Sequence, residues 1–206
     1  MTDSENAIDE RIDALDRFER TINAQLDLLS RIDDKAANVV RYTPLLIGVL
    51  FTGLTLATRS DSLSLYDVAP LPSALFFIGT TSLLVAICVA TITYLSSVRE
   101  YGPDASYGYN VADGDVRTPD YETHLLVGYA DAVEDNMEAT NANALRFRRA
   151  LASLLVGVVY TSIAGGIAVQ DLPAFAEWGV CAVVTAAVGF VVYKTYAEDF
   201  LILERG

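Results

Sequence analysis

Two six-residue stretches carry the side chains best suited to binding an anion: Ala37-Asn-Val-Val-Arg-Tyr42 and Ala142-Asn-Ala-Leu-Arg-Phe147. In each, an asparagine precedes an arginine by three residues, so amide and guanidinium share one face of a helix. Arg41 and Arg146 would either snorkel to lipid headgroups or hold an anionic ligand between helices. Asn38 and Asn143 would hydrogen-bond across a helix pair and fix its register. Just upstream, Ile32-Asp-Asp-Lys-Ala-Ala37 adds Asp33, Asp34 and Lys35. Asp33 falls on an apolar seam, where a polar residue often sets register at some cost in stability. Asp34 or Lys35 could pair with a charge on segment 134–138.

Other chemistry finds little purchase. His124 is the only histidine and has no cysteine near it in sequence, which excludes a recognisable metal centre and a histidine general base. Cys88 and Cys181, the only two cysteines, lie in apolar runs and read as small packing residues. No serine sits in a nucleophile elbow, and no glycine-rich phosphate loop follows a strand. The Gly-, Asp- and Tyr-containing stretch 101–115 lacks the alternating carboxylates of a calcium loop. The sequence therefore points to no catalytic residue, no metal and no cofactor, and to a protein that is not an enzyme.

The elements that must position these residues are helices. From Ile8, apolar residues Ile12, Leu15, Ile22, Leu26, Leu29, Ala36 and Val40 recur at spacings built from three and four, a coiled-coil-like signal. Residues 1–7 should fray. The amphipathic stretch 1–38 then runs into a first membrane span, 39–57, with Pro44 as a candidate kink. Residues 71–95 form a second span without a charge, and Ser82, Ala86 and Ala90 give it a small-residue face. A connecting loop, 96–120, precedes a second amphipathic helix, 121–149, with an apolar face of Leu126, Tyr129, Val133, Met137, Thr140, Ala144, Phe147 and Leu151. A third span, 150–169, repeats Ser153, Gly157, Thr161 and Gly165 at every fourth position, the strongest close-packing pattern in the chain. After a turn at 171–173 come a fourth span, 175–193, and a short tail, 194–206.

The expected fold is thus an all-α integral membrane protein with four spans, the first and third extended into long amphipathic helices. Every Lys and Arg except Arg59 lies on the side of the N-terminus, segment 96–149 or the tail, so the positive-inside bias puts both termini and both amphipathic helices in the cytoplasm. The shared plan of the halves, and the matching Ala-Asn-x-x-Arg-aromatic steps, predict a parallel internal repeat. The acidic, polar start lacks the basic lead and early apolar core of a cleaved signal peptide, so the later helices are expected to drive insertion.

Composition supports this division. The 206 residues are 52% hydrophobic yet carry a net charge of −13, values that combine when apolar and acidic segments alternate. Acidic surfaces stay solvated in concentrated salt, so the composition resembles that of a salt-adapted microbe. No basic stripe exists to neutralise phosphates, and nucleic acid is not an expected partner. Once the boundary residues are set aside, the spans hold no Asp, Glu, Lys or Arg, which argues against proton- or ion-coupled pumping.

The step Ile32-Asp-Asp-Lys-Ala-Ala37, closing an amphipathic helix and opening a span, resembles the Asp-x-Lys-Ala signature of Pycsar-type transmembrane effectors and related nucleotide-signalled anti-phage modules. The similarity covers about residues 15–95. It implies membrane disruption after a cyclic nucleotide is sensed. The family's modules have two spans where this chain has four, and 206 residues leave no room for a separate nucleotide-binding domain. The expected function is a multi-pass membrane protein whose helical stalk serves assembly, including homo-oligomers, or signal reception, up to a defence effector. A passive channel and a structural membrane subunit are the alternatives.

Overall fold

A computed structural model of the chain describes residues 2–59, 70–96, 109, 113, 118–170 and 173–197. Four helices make up its regular structure: α1 (Thr2–Arg59), α2 (Pro70–Leu95), α3 (Thr118–Val169) and α4 (Ala174–Ala197). Each contains a stretch long and apolar enough to cross a membrane. Residues 60–69, most of 96–120, residues 171–172 and the tail from 198 lie outside the described residues.

Local chemistry explains the helix ends. α1 begins at Thr2 rather than near Ile8. α2 opens on Pro70, whose missing N–H costs nothing at a first helical position. α3 starts three residues earlier than the apolar pattern indicates, on the start signal Thr118-Pro119-Asp120. In α4 the Pro173 carbonyl accepts from Ala176 N (2.8 Å) and Glu177 N (3.3 Å), and Glu177 and Lys194 place opposite charges at the appropriate ends. Pro44 lies within α1, which continues through it.

The chain divides into two compact units. The first comprises Met1–Ala36 and Ile92–Phe147, and the second Ala37–Thr91 and Arg148–Gly206. α1 and α3 each contribute one part to either unit.

In the first unit, α1 buries Ile22, Leu29, Asp33 and Ala36, which follow the seam spacing of the sequence, and Ile32 beside them. Ile12 lies off that seam, 53% exposed. On α3 the buried stripe is Ala132, Asn136, Thr140 and Asn143. This corrects the expected apolar face by about one residue: Met137 is 53% exposed while Asn136 and Asn143 are each 1% exposed. Small and amide side chains let helices approach more closely than Met or Tyr do, and here proximity outweighs hydrophobicity. Gln25 Nε2 donates to the Val133 carbonyl at 3.1 Å and ties α1 to α3 within this unit. At the surface, Asp13–Arg17 (2.8 Å) and Asp16–Arg20 (3.6 Å) pair across one turn of α1.

In the second unit, α2 and α3 pack antiparallel. Pairs Gly79–Thr161 and Leu83–Gly157 meet in opposite sequence order, and Ser82 Oγ donates to the Ser153 carbonyl at 2.9 Å. Leu75, Ala164 and Ile167 form a buried cluster flanked by Leu71, Phe76, Tyr160, Ile163 and Cys181. α1 reaches α2 through an edge-to-face pair, Phe51 on Phe76, with centroids 6.0 Å apart. α4 joins through Cys181 and through a 2.8 Å hydrogen bond between Tyr160 and Thr185 hydroxyls.

Of the predicted packing residues, Ala86 and Ala90 are fully buried, Gly157 and Thr161 form the tightest contact, and Ser82 and Ser153 are bonded. Gly165 is the exception, for a Cβ there would meet nothing within 4 Å. A helix turns 3.6 residues per revolution, so a strict four-residue spacing drifts off the contact; the buried stripe steps to Ala164 instead.

Candidate functional site: a polar node at the end of α2

A connected polar group in the first unit is built from three residues. Arg146 Nη1 donates to Ser96 Oγ at 2.7 Å and to Asn143 Oδ1 at 3.0 Å. The hydroxyls and amides are arranged to make this possible. Asn143 and Arg146 lie three apart on α3, so both point to the same side. Ser96 follows the last residue of α2, where its N–H still bonds the Ile92 carbonyl at 3.0 Å. Ser96 Oγ stands 3.0 Å from Asn143 Oδ1 and 3.4 Å from the Thr93 carbonyl, so its single proton has two acceptors to choose from. The C-terminal carbonyls of α2 add a partial negative field that favours the guanidinium here. Asn143 is buried while Arg146 is half-buried, so the amide is a fixed platform and the guanidinium a partly open head.

The other predicted residues are not gathered here. Asn38 is exposed, and Arg41 is exposed with its guanidinium 5.8 Å from the Tyr42 ring centroid. The matched steps therefore have unlike environments, and a hydrogen bond between two buried asparagines is not what Asn38 offers. The sequence identity survives at positions where packing differs: Thr43 and Val39 are buried beside Asn38, whereas Asn143 itself turns inward. Asp33 is buried, at 6% exposure, as its seam position requires. Asp34 and Lys35 are exposed and form no ion pair among the described residues, so neither is joined to segment 134–138. Water solvates both charges at no cost, and an exposed pair would contribute little.

Sequence reasoning missed Ser96, which it placed in a loop. It also missed Asn136, Gly79 and Leu83. A signal for Gly79 existed: Gly79, Leu83, Ala86 and Ala90 follow the three-and-four spacing of a packed seam.

Among the described residues, two buried polar atoms in the first unit lack a hydrogen-bond partner, Gln25 Oε1 and Thr140 Oγ1. No group of three or more His, Cys, Asp or Glu that could hold a metal occurs among the described residues.

All-helical structure with four apolar helices of spanning length and composition fits a multi-pass membrane protein. No protein-family model, curated protein or solved structure matches the chain.

Proposed function

We propose that this is a non-enzymatic multi-pass membrane protein whose first unit, on the cytoplasmic side, receives a signal or drives self-assembly, and whose spans act on the bilayer in response. The observation that carries this reading is the polar interior of the first unit. Asp33, Asn136, Thr140 and Asn143 occupy positions that a purely structural helix pair would fill with Leu or Ala. Buried polar side chains contribute less to stability than apolar ones but specify register and partner. Gln25 Oε1 and Thr140 Oγ1, buried without partners, leave room for a second arrangement that satisfies them. A seam of this kind suits two states of similar energy. Because α1 and α3 supply both this seam and two of the spans, a change in one has a covalent route to the other.

The similarity of Ile32-Asp-Asp-Lys-Ala-Ala37 to anti-phage membrane effectors gives the response its form, loss of membrane integrity on infection. The test is membrane potential, read with a potentiometric dye, together with oligomer size, in expressing cells with and without phage challenge. Depolarisation and growth arrest only on challenge, with a shift in oligomer size, are expected. Unchanged potential and growth under challenge would remove the effector reading. Solute flux through protein-bearing liposomes without any trigger would replace it with a passive channel.

A further inference from the structure

We infer that Arg146 is a phosphate-binding residue, oriented by Asn143 and Ser96 to present its remaining guanidinium edge to an oxyanion at the membrane boundary. This rests on the membrane-spanning character of the helices and is independent of the signalling role proposed above.

The donor count comes first. A guanidinium has five N–H groups in one plane and no acceptor. Nη1 uses its two on Ser96 Oγ and Asn143 Oδ1, at 2.7 and 3.0 Å. Nε and Nη2 remain, and their N–H groups form the fork that matches two oxygens of a phosphate. Both partners of Nη1 are neutral, and Arg146 makes no ion pair among the described residues. The positive charge is thus fixed in orientation but not neutralised. A half-buried cation held this way favours an anion more than a freely rotating surface arginine does, since less side-chain freedom is lost on binding.

Position supplies the ligand's chemistry. The run 150–169 that follows Arg146, Arg148 and Arg149 has no charge, and α2 is uncharged from Pro70 to Leu95, immediately before Ser96. Both strands of the node therefore lie where an uncharged spanning run ends, at the depth of lipid phosphates. Arg41, exposed and set against its own neighbouring ring, lacks such a platform. The oxyanion belongs either to a phospholipid headgroup or to a free phosphate-bearing solute.

The experiment uses the full chain purified in detergent, with phosphatidylglycerol as probe and native mass spectrometry counting the lipid retained. Wild type is expected to keep one phosphatidylglycerol, and Arg146→Gln to lower that retention at least about tenfold. Arg149→Gln removes an exposed arginine of the same basic cluster and is expected to change little. Asn143→Asp is the second variant, nearly isosteric, and keeps the fold if Arg146→Gln loses it. It sets a carboxylate against the guanidinium, supplies the missing anion internally, and should also weaken retention severalfold. Inorganic phosphate then separates the sources: displacement of the lipid assigns the site to free oxyanions, and resistance assigns it to the headgroup. Equal retention by wild type, Arg146→Gln and Asn143→Asp would overturn the inference. So would a loss with Arg149→Gln as large as that with Arg146→Gln, because the attraction would then belong to a diffuse basic patch.

Discussion

Gly79 and Gly157 set how closely α2 and α3 approach, and they do so unequally. A Cβ on Gly79 would lie 2.6 Å from Thr161 Cγ2 and 2.8 Å from the Thr161 backbone nitrogen. Backbone cannot rotate away, so Gly79→Ala must push the helices apart. A Cβ on Gly157 would meet Leu83 side-chain atoms at 2.6 Å and the Gly79 carbonyl at 3.0 Å, and Leu83 can give by changing rotamer. Overpacking of this kind costs about 1–3 kcal/mol. Gly79→Ala should fall at the upper end, Gly157→Ala lower, and Gly165→Ala, with open space around it, near zero. Unfolding of the three variants in the same detergent checks the order; equal values for Gly79→Ala and Gly165→Ala would remove the contact. Thr140 offers the opposite sign. Its hydroxyl is buried without a partner, and Thr140→Val keeps the shape while removing the unsatisfied group. A gain of about 1 kcal/mol is expected in thermal or denaturant unfolding, and a loss would show that the hydroxyl has a partner in solution.

Among the elements, α1 carries the most visible irregularity. Pro44 lies about three-quarters of the way along a helix of 58 residues, and its ring denies the Val40 carbonyl its usual donor. Thr43 Oγ1 donates to the adjacent carbonyl of Val39 at 2.7 Å, so one neighbouring acceptor is covered twice while another is left short. Pro44→Ala restores the missing donor and should slow amide exchange over the turn on either side of position 44. Unchanged exchange rates there would mean that the carbonyl is already satisfied. The spans themselves were legible from length and the absence of charge, because a bilayer demands both. The close-packing faces of α2 and α3 were legible from Ala86, Ala90, Gly157 and Thr161, but not that the two faces meet each other. The polar seam was not: periodicity arguments follow apolar residues, and on α3 the buried positions are Asn136, Thr140 and Asn143, while Met137 faces out. Ser96 was invisible for a related reason, since nothing local distinguishes a serine after a span from a serine in a loop.

At the scale of the whole molecule, the exposed surface of the second unit implies its surroundings. Leu45, Val49 and Leu56 on α1 and Phe175, Val183 and Phe190 on α4 are all exposed, a surface that water would not tolerate and lipid would. Trp178, Tyr42, Tyr94 and Tyr193 are exposed as well, near the ends of their apolar runs, where aromatic belts lie. If each of the four helices crosses once, a residue before the first crossing and one before the third share a side, and a residue between the first two crossings faces the other. The single basic residue expected on the far side is Arg59, at the end of α1. With Cys88 and Cys181 first replaced by alanine, Asp16→Cys and Glu134→Cys should react with a membrane-impermeant maleimide only after the cytoplasmic face is opened. Arg59→Cys should react in intact cells. Asp16 and Glu134 are exposed, so their failure to label in intact cells reports sidedness and not burial. Labelling of Asp16→Cys in intact cells with Arg59→Cys protected would invert the topology, and labelling of all three from one side would remove the first and second crossings. An inverted topology would also put the Arg146 node on the outer side, since Glu134 and Arg146 belong to one uninterrupted helix.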